Sequence, residues 1–180
     1  LQTLLDSLHS NSRIMELFSS LLYENGIIMH SNSLSKLSSC CLSAVSTLYP
    51  FCWQHIFIPV LPQALLSYCC APMPFFVGVH SSSIPEIMTL PLEEVVFIDL
   101  DHGTVSIDKA NYTPLPEEQW IIRKAITDAR QAVKQGLPYK ERKIRKAFSQ
   151  FYLALVATYV NHITKNDKGK TILDKEALVD

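Results

Sequence analysis

The first half of the chain alternates between apolar stripes at helical spacing and short runs that are apolar throughout. The first stripe predicts a helix that Asn11-Ser12 would cap at its N-terminus. The apolar members of this stripe are Ile14, Leu17, Phe18, Leu21 and Leu22. Asn25-Gly26 is a typical helix end, and the apolar run GIIMH that follows it predicts a buried strand.

A second helix and two further strands follow the same scheme. SNSLS supplies an N-cap, and Pro50 closes the helix. The apolar face of this helix consists of Leu34, Leu37, Cys41, Ala44, Val45 and Leu48. HIFI predicts a strand that Pro59 stops, and Pro62 suits the first turn of a short helix, QALLSYCC. FFVGV predicts a third strand, in which Gly78 allows another backbone segment to approach closely.

This alternation of helices and strands predicts an α/β fold with an open, mostly parallel sheet flanked by helices. Strands of a parallel sheet are covered on both faces, which explains why these runs are apolar throughout. The stretch EVVFIDLDHGTVSID then predicts a strand, a turn at Asp-His-Gly and a second strand.

The remainder of the chain is predicted to be helical. Glu117 and Glu118 follow Pro116 as a favourable first turn, and Gly136 followed by Pro138 closes that helix. A longer helix follows, with one apolar face formed by Ile144, Phe148, Phe151, Tyr152, Leu155, Tyr159 and Ile163. NDKGK after it predicts a turn or a flexible loop.

Charge is unevenly distributed along the chain. Its 180 residues suit one domain, and a formal net charge of -1 gives no basic field for nucleic acid. No charged residue lies between Lys36 and Glu86, but prolines divide this stretch into pieces too short to span a membrane. The N-terminus lacks a basic region and an apolar core, so we expect no signal peptide. The first residue is not Met, which suggests a fragment of a longer chain.

The usual catalytic and metal-binding motifs do not occur in the sequence. It contains no G-x-x-x-x-G-K-[ST], no G-x-G-x-x-G and no G-x-S-x-G, and its six histidines are scattered. An odd number of cysteines without C-x-x-C argues against a disulfide framework and against a zinc site. We therefore expect no metal, no cofactor and a cytosolic protein whose thiols pack as small apolar groups.

Three features leave alternatives open. Cys69 or Cys70 with His55 or His80 could form a thiol nucleophile, although both cysteines end a helix, where the dipole disfavours a thiolate. The run YKERKIRK is either the solvated face of an amphipathic helix or a patch for an acidic partner or a lipid headgroup.

Polar residues follow two of the predicted strands and form the third feature. His30, Ser31, Asn32 and Ser33 follow GIIM, and the segment His80, Ser81 and Ser82 follows FFVGV. If these strands are parallel, both segments lie at the carboxyl edge of the sheet, where α/β proteins bind ligands. The serines would otherwise serve only as caps of the next helices.

A long segment in the middle of the chain resembles a known family. LYPFCWQHIFIPVLPQALLSYCCAPMPFFVGVHSS is similar to the central segment of DENN domains, and most similar to the connecdenn branch. The motifs W-Q-H, I-P-V-L-P, C-C-A-P-M-P and G-V-H-S-S occur there in this order. SLLYENGIIMHSNSLSKLSSC before it and LEEVVFIDLDHGTVSID after it resemble the flanking family segments, and KAFSQFYLALVATYVNHI is more loosely similar.

This resemblance implies a part of a guanine nucleotide exchange factor for Rab-family GTPases in endocytic and vesicle trafficking. DENN domains are bilobed, and residues 1–112 are expected to be the central α/β core of the C-terminal lobe. Residues 113–180 are then part of the helical downstream section, and the N-terminal longin-like lobe is expected to be absent from this chain. The expected location is cytoplasmic, at the periphery of vesicle or endosomal membranes.

The implied chemistry is that of a regulator without covalent catalysis. The GTPase, GDP-bound or nucleotide-free, is the expected partner, and adaptor or coat proteins would bind regions outside this chain. Our candidates for GTPase contact are the two carboxyl-edge segments, His30 to Ser33 and His80 to Ser82. The alternative is a module of DENN architecture that binds a GTPase or a scaffold without exchange activity.

Overall fold

The computed structural model describes residues 1–92, 94–107, 113–160, 163–165 and 171–173. The strands of its main sheet are β1 (Gly26–Ser31), β2 (Ile56–Ile58), β3 (Phe75–His80), β4 (Val95–Asp99) and β5 (Thr104–Ser106). They are ordered β2-β3-β1-β4-β5, and all neighbouring pairs are parallel except β4 with β5. The fold is thus the predicted α/β arrangement with a mostly parallel sheet.

Helices surround this sheet and continue beyond it. In the described part of the chain they are α1 (Gln2–Ser7), α2 (Asn11–Leu22), α3 (Leu34–Ser46), α4 (Ile84–Ile87), α5 (Trp120–Lys134) and α6 (Glu141–Val160). Short 3-10 helices cover Gln63–Cys70, Ser81–Ser83 and Glu117–Gln119. A separate antiparallel pair consists of β6 (Ile163–Lys165) and β7 (Thr171–Leu173).

The sheet lies between two apolar cores because successive side chains of a strand point to opposite faces. On one face, Ile27 and Met29 of β1 pack in a core that includes residues of α1, α2, α3, α5 and α6. On the other face, Ile28 packs with Leu66 of a 3-10 helix and Ile87 of α4. The long uncharged stretch of sequence is therefore explained by a central sheet that is buried on both sides.

An aromatic cluster joins α6 to α2 in the larger core. The ring of Phe18 lies 4.8 Å from that of Phe148, 5.5 Å from that of Phe151 and 6.0 Å from that of Tyr152, between centroids. All three pairs are edge-to-face, the arrangement that aromatic quadrupoles favour. The first half of the predicted α6 stripe is thus confirmed as core.

The sequence pattern did not predict α1, which α5 holds in place. Arg130 of α5 donates to the backbone carbonyls of Leu5 at 3.1 Å, Leu8 at 2.6 Å and His9. These carbonyls lie at the C-terminal end of α1, where a helix has no intrahelical partners for them. A six-residue helix is too short to be stable alone, so this cation and the apolar contacts of Leu4 and Leu5 stabilise it.

Two predicted helix boundaries were wrong. Ser10, rather than Asn11-Ser12, caps α2, because its hydroxyl accepts from the Ser12 backbone N–H at 3.2 Å. The predicted stripe of α6 ran to Ile163, but the helix ends at Val160 and Ile163 pairs with Leu173 in the β6–β7 ladder. The predicted turn NDKGK lies outside the described residues.

Gly78 confirms the predicted close approach of a second backbone segment to β3. A Cβ atom at this position would lie 2.1 Å from the carbonyl oxygen of Pro59 and 3.0 Å from Cys41 Sγ. The Gly78 carbonyl also accepts from the Leu61 backbone N–H at 2.7 Å. Glycine is required here because the segment after β2 crosses directly over β3.

We expect Gly78→Ala to lower the free energy of unfolding by about 3 kcal/mol or more, since the contacted atom is backbone and cannot rotate away. Urea unfolding followed by circular dichroism measures this change. Gly136→Ala is the matched control: nothing lies within 4 Å of its Cβ, and its φ of +74° costs about 1 kcal/mol. Equal unfolding midpoints for the two variants would contradict the steric explanation.

Candidate functional site

The two polar segments of the sequence meet at one edge of the sheet. β1 and β3 are parallel neighbours, with Ser31 opposite His80, so the predicted position at the carboxyl edge is confirmed. The connection after β1 crosses one face of the sheet through α3, and that after β3 crosses the other face through α4. Neighbouring strands whose connections leave on opposite faces have a crevice between them, the usual ligand position in α/β proteins.

Hydrogen bonds join the two segments directly. His30 Nδ1 lies 3.2 Å from Ser81 Oγ, and His80 Nε2 lies 3.1 Å from the carbonyl oxygen of Asn32. His80 Nδ1 accepts from the Ser82 backbone N–H at 3.2 Å. Because Nδ1 accepts, a neutral His80 carries its proton on Nε2 and donates it to Asn32. The imidazole of His80 therefore fixes the distance between the two segments.

A third segment, which the sequence analysis did not assign to the site, joins the same edge. The Asp101 carboxylate, in the turn after β4, accepts from Ser31 Oγ at 2.8 Å and from Lys36 Nζ at 3.3 Å. It also accepts from the backbone N–H of Asn32 at 2.7 Å and from Asn32 Nδ2 at 3.0 Å. We call residues 30–33, 80–82 and 99–102 the carboxyl-edge cluster.

The sequence pattern predicted the turn that carries this third segment, but not its position beside the other two segments. Asp101-His102-Gly103 was correctly predicted as a turn between two strands, β4 and β5. The parallel pairing of β4 with β1, in which His30 lies opposite Asp99, joins residues that are distant in the sequence. Local periodicity does not show which strands are neighbours, so the position of Asp101 beside Ser31 could not be inferred from it.

Solvent exposure divides the predicted site residues into two groups. Ser31 is fully buried and donates to Asp101, so it acts as a support within the cluster. Asn32, Ser33 and Ser82 are exposed, while His30, His80 and Ser81 are half-buried. Ser33 also caps α3, since its hydroxyl accepts from the Lys36 backbone N–H at 3.4 Å. Ser33 can therefore cap α3 and still be exposed at the surface of the cluster.

The pKa values of both carboxylates in the cluster lie below their ordinary values. Burial raises the pKa of Asp101, but hydrogen bonds from Asn32, Ser31 and Lys36 outweigh it, so the net pKa lies below its ordinary value. The pKa of Asp99 is likewise lowered overall, because hydrogen bonds from His102 and the Asp101 backbone outweigh burial. Both carboxylates are therefore ionised at neutral pH.

The two histidines near these carboxylates differ in environment. Burial lowers the pKa of His30, and this effect outweighs the nearby Asp99 and Asp101, which raise it. His102 is exposed, and its hydrogen bond to Asp99, at 2.6 Å from Nδ1 to Oδ2, raises its pKa. The cluster thus presents two carboxylates, the Lys36 ammonium and a set of neutral donors and acceptors, which suits recognition of another polar protein surface.

The thiol alternative is not supported by the geometry. Cys69 is buried, and this burial, with the neighbouring Cys70, raises its pKa to about 11, which disfavours the thiolate that a nucleophile needs. Among the hydrogen bonds of the described residues, none joins Cys69 or Cys70 to a histidine. Of the two candidate bases, His80 has both ring nitrogens engaged within the carboxyl-edge cluster, and His55 Nε2 lies 3.1 Å from Glu24 Oε1.

Neither a metal site nor a membrane-spanning helix is found among the described residues. Across residues 1–92, 94–107 and the other described segments, no group of three or more His, Cys, Asp or Glu side chains could hold a metal ion. Within those same segments, no helix has both the length and the apolar character to cross a bilayer.

Comparison with known proteins matches the DENN resemblance. The family model described as DENN (AEX-3) domain matches residues 1–103 of the 180 residues. The human DENN domain-containing protein 2C is 32% identical over 170 residues, which cover 91% of this chain and 18% of that protein. The human DENN domain-containing protein 1B is 41% identical over 107 residues, which cover 59% of this chain and 14% of that protein.

The mouse DENN domain-containing protein 1A is 30% identical over 168 residues, which cover 93% of this chain and 16% of that protein. Proteins 1A and 1B are connecdenns, the branch to which the central motifs are similar. The chain spans less than a fifth of the length of these relatives.

We expect Asp99→Asn to lower the pKa of His102, because the hydrogen bond that His102 donates to the Asp99 carboxylate, which raises this pKa, is lost. The same change should lower the pKa of His30 further, since Asp99 raises it. NMR titration of the histidine ring protons measures both values. Asp128→Asn, at an exposed carboxylate on α5, is the control and should leave both unchanged. An unchanged His102 pKa in the Asp99 variant would refute the pairing.

Proposed function

The chain belongs to the DENN domain family, and from this premise we propose that it is part of a guanine nucleotide exchange factor for a Rab-family GTPase. Residues 1–112 form the central α/β core of the DENN domain, and residues 113–180 form part of its helical downstream section. The longin-like N-terminal lobe belongs to a longer protein. That protein acts in endocytic and vesicle trafficking, in the cytoplasm and at the periphery of vesicle or endosomal membranes.

The observation that carries this proposal is the carboxyl-edge cluster at the crevice between β1 and β3. Three loops present exposed polar groups there, and the network around Asp101 and His80 holds them in fixed positions. Of the residues predicted to contact the GTPase, the most exposed to solvent are Asn32, Ser33 and Ser82. Ser31 and His30 support them from within.

Exchange requires differential binding rather than bond chemistry. A factor that binds the nucleotide-free GTPase more tightly than the GDP-bound form shifts the equilibrium towards release, by an amount set by that difference. GTPase switch loops are ordered by contacts to phosphate and Mg²⁺, so a rigid surface that holds them elsewhere weakens GDP binding. A rigid polar cluster without a nucleophile meets this requirement.

The direct test is the release of fluorescent GDP from a panel of Rab GTPases. The chain itself and an N-terminally extended form are compared, because the longer protein proposed above carries a second lobe that this chain lacks. We expect the extended form to accelerate release from at least one Rab. Stable binding to nucleotide-free Rab without accelerated release would replace the proposal by a binding module of DENN architecture.

We expect the double variant Asn32→Ala with Ser82→Ala to reduce the GDP release rate about tenfold, because it removes exposed side chains at the centre of the proposed contact. The free energy of unfolding should change by less than about 1 kcal/mol. Gln131→Ala with Gln150→Ala, at exposed positions on α5 and α6, is the matched control. Equal release rates for the two double variants would argue against this surface.

Cys70→Ser should leave exchange activity unchanged, since the half-buried thiol has no role in differential binding. The same release assay measures this, before and after treatment with a thiol-alkylating reagent. Loss of exchange in a variant that retains its circular dichroism spectrum and unfolding midpoint would restore the thiol alternative.

A further inference from the structure

A groove of about 590 Å³ lies away from the carboxyl-edge cluster and shares no residue with it. The end of α3, the segment after it and the first turns of α6 form its walls, and Leu1 lies at one end. Its apolar part consists of Phe148, which is buried, and Tyr49, whose side chain is 70% exposed. The groove is large enough to take one or two bulky side chains of a partner.

One wall of the groove is strongly basic. Arg142, Arg145 and Lys146 line it from α6, at a spacing that places them on one helix face. Arg145 is partly neutralised, because its Nε and Nη2 donate to Glu141 Oε1 at 2.8 and 2.6 Å. In the part of the chain that the structure describes, no acidic side chain pairs with Arg142 or Lys146. The wall therefore offers two exposed cations to a partner.

The hydroxyl groups of the groove specify the hydrogen-bonding character of that partner. Ser46, Thr47 and Ser149 each donate to a carbonyl of their own helix, at 2.7, 2.6 and 3.3 Å respectively. A hydroxyl whose proton is engaged in this way can only accept further hydrogen bonds. These hydroxyl oxygens therefore suit a partner with donors, such as the N–H groups of a peptide backbone.

From these observations we propose that the groove between α3 and α6 binds a short peptide segment of a partner protein, with one bulky apolar residue flanked by acidic residues. The apolar side chain packs on Tyr49 and Phe148. The flanking carboxylates pair with Arg142 and Lys146, as the Glu141 carboxylate does with Arg145. The peptide backbone donates to the hydroxyl oxygens of Ser46 and Thr47, at the end of α3, and of Ser149 on α6.

The test is fluorescence polarisation with a labelled peptide in which Glu and Asp residues flank a Leu-Phe pair. The complete chain should bind it saturably, and a peptide with Lys at each acidic position should not bind. Arg142→Glu with Lys146→Glu should weaken binding at least about tenfold, because two attractions become repulsions. Tyr49→Ala should weaken it as well, since the residue lines the groove with an exposed ring.

The matched control is Lys124→Glu with Lys134→Glu, which changes the net charge equally at exposed positions of α5. This control should leave the peptide affinity unchanged within about twofold. An equal loss of peptide affinity in both double variants would mean that binding depends only on the net charge of the chain. That result would overturn the proposal. Absence of saturable binding to the unaltered chain would overturn it too.

A membrane surface is the competing occupant and is tested in parallel. Vesicles of phosphatidylcholine with phosphatidylserine are sedimented with the unaltered chain and with Arg142→Glu plus Lys146→Glu. Vesicle binding that this variant abolishes, together with no peptide binding, would assign the groove to lipid and refute the peptide proposal. GDP release measures the separate exchange function, and we expect the Arg142 and Lys146 variant to leave it unchanged.

Discussion

The structure depends on the burial of β1 in the centre of a parallel sheet. This strand has β3 on one side and β4 on the other, and its side chains enter two different cores. A strand in this position cannot carry a charge along its length, because an unpaired charge in an apolar core costs several kcal/mol. Polar residues can appear only where the strand leaves the sheet, and this is where His30 and Ser31 lie. The same constraint that makes the first half of the chain apolar therefore concentrates its polar groups at one edge.

At that edge the polar groups have to satisfy one another. Ser31 is buried, and the Asp101 carboxylate provides the acceptor that its hydroxyl needs. The same carboxylate accepts hydrogen bonds from the Asn32 backbone N–H and the Lys36 ammonium. One side chain therefore holds the segment between β1 and α3 in position. Arg13 of α2 in turn donates to the carbonyl of Gly103, at the end of the turn that carries Asp101. The cluster is thus tied to the sheet and to the helical layer, which gives its surface a fixed shape.

Much of this arrangement could be predicted from the sequence because it depends on local patterns. Apolar runs bounded by turn residues identified the five strands of the main sheet. The alternation of strands with helices indicated that most of these strands are parallel. Other features required long-range information. The α1 helix is stabilised by Arg130, which is distant in the sequence, and Asp101 reaches Ser31 only because β4 pairs with β1. The C-terminal end of α6 was predicted too late in the chain, because an apolar stripe at helical spacing does not show that Ile163 pairs with Leu173 in a β-ladder. Periodicity predicts elements and exposed faces, whereas the partners of each element depend on the complete fold.

The aromatic contacts between α2 and α6 have a consequence for synthesis on the ribosome. Phe18 is translated well before its ring partners Phe148, Phe151 and Tyr152, which lie about 130 residues later in the chain. At a typical elongation rate of about 5–20 residues per second, this interval lasts roughly 7–26 seconds. During this interval the apolar face of α2 lacks the α6 side chains that bury it in the folded protein. The central sheet can be completed only after β4 has emerged. The apolar face of α2 is therefore without these aromatic partners for seconds of synthesis.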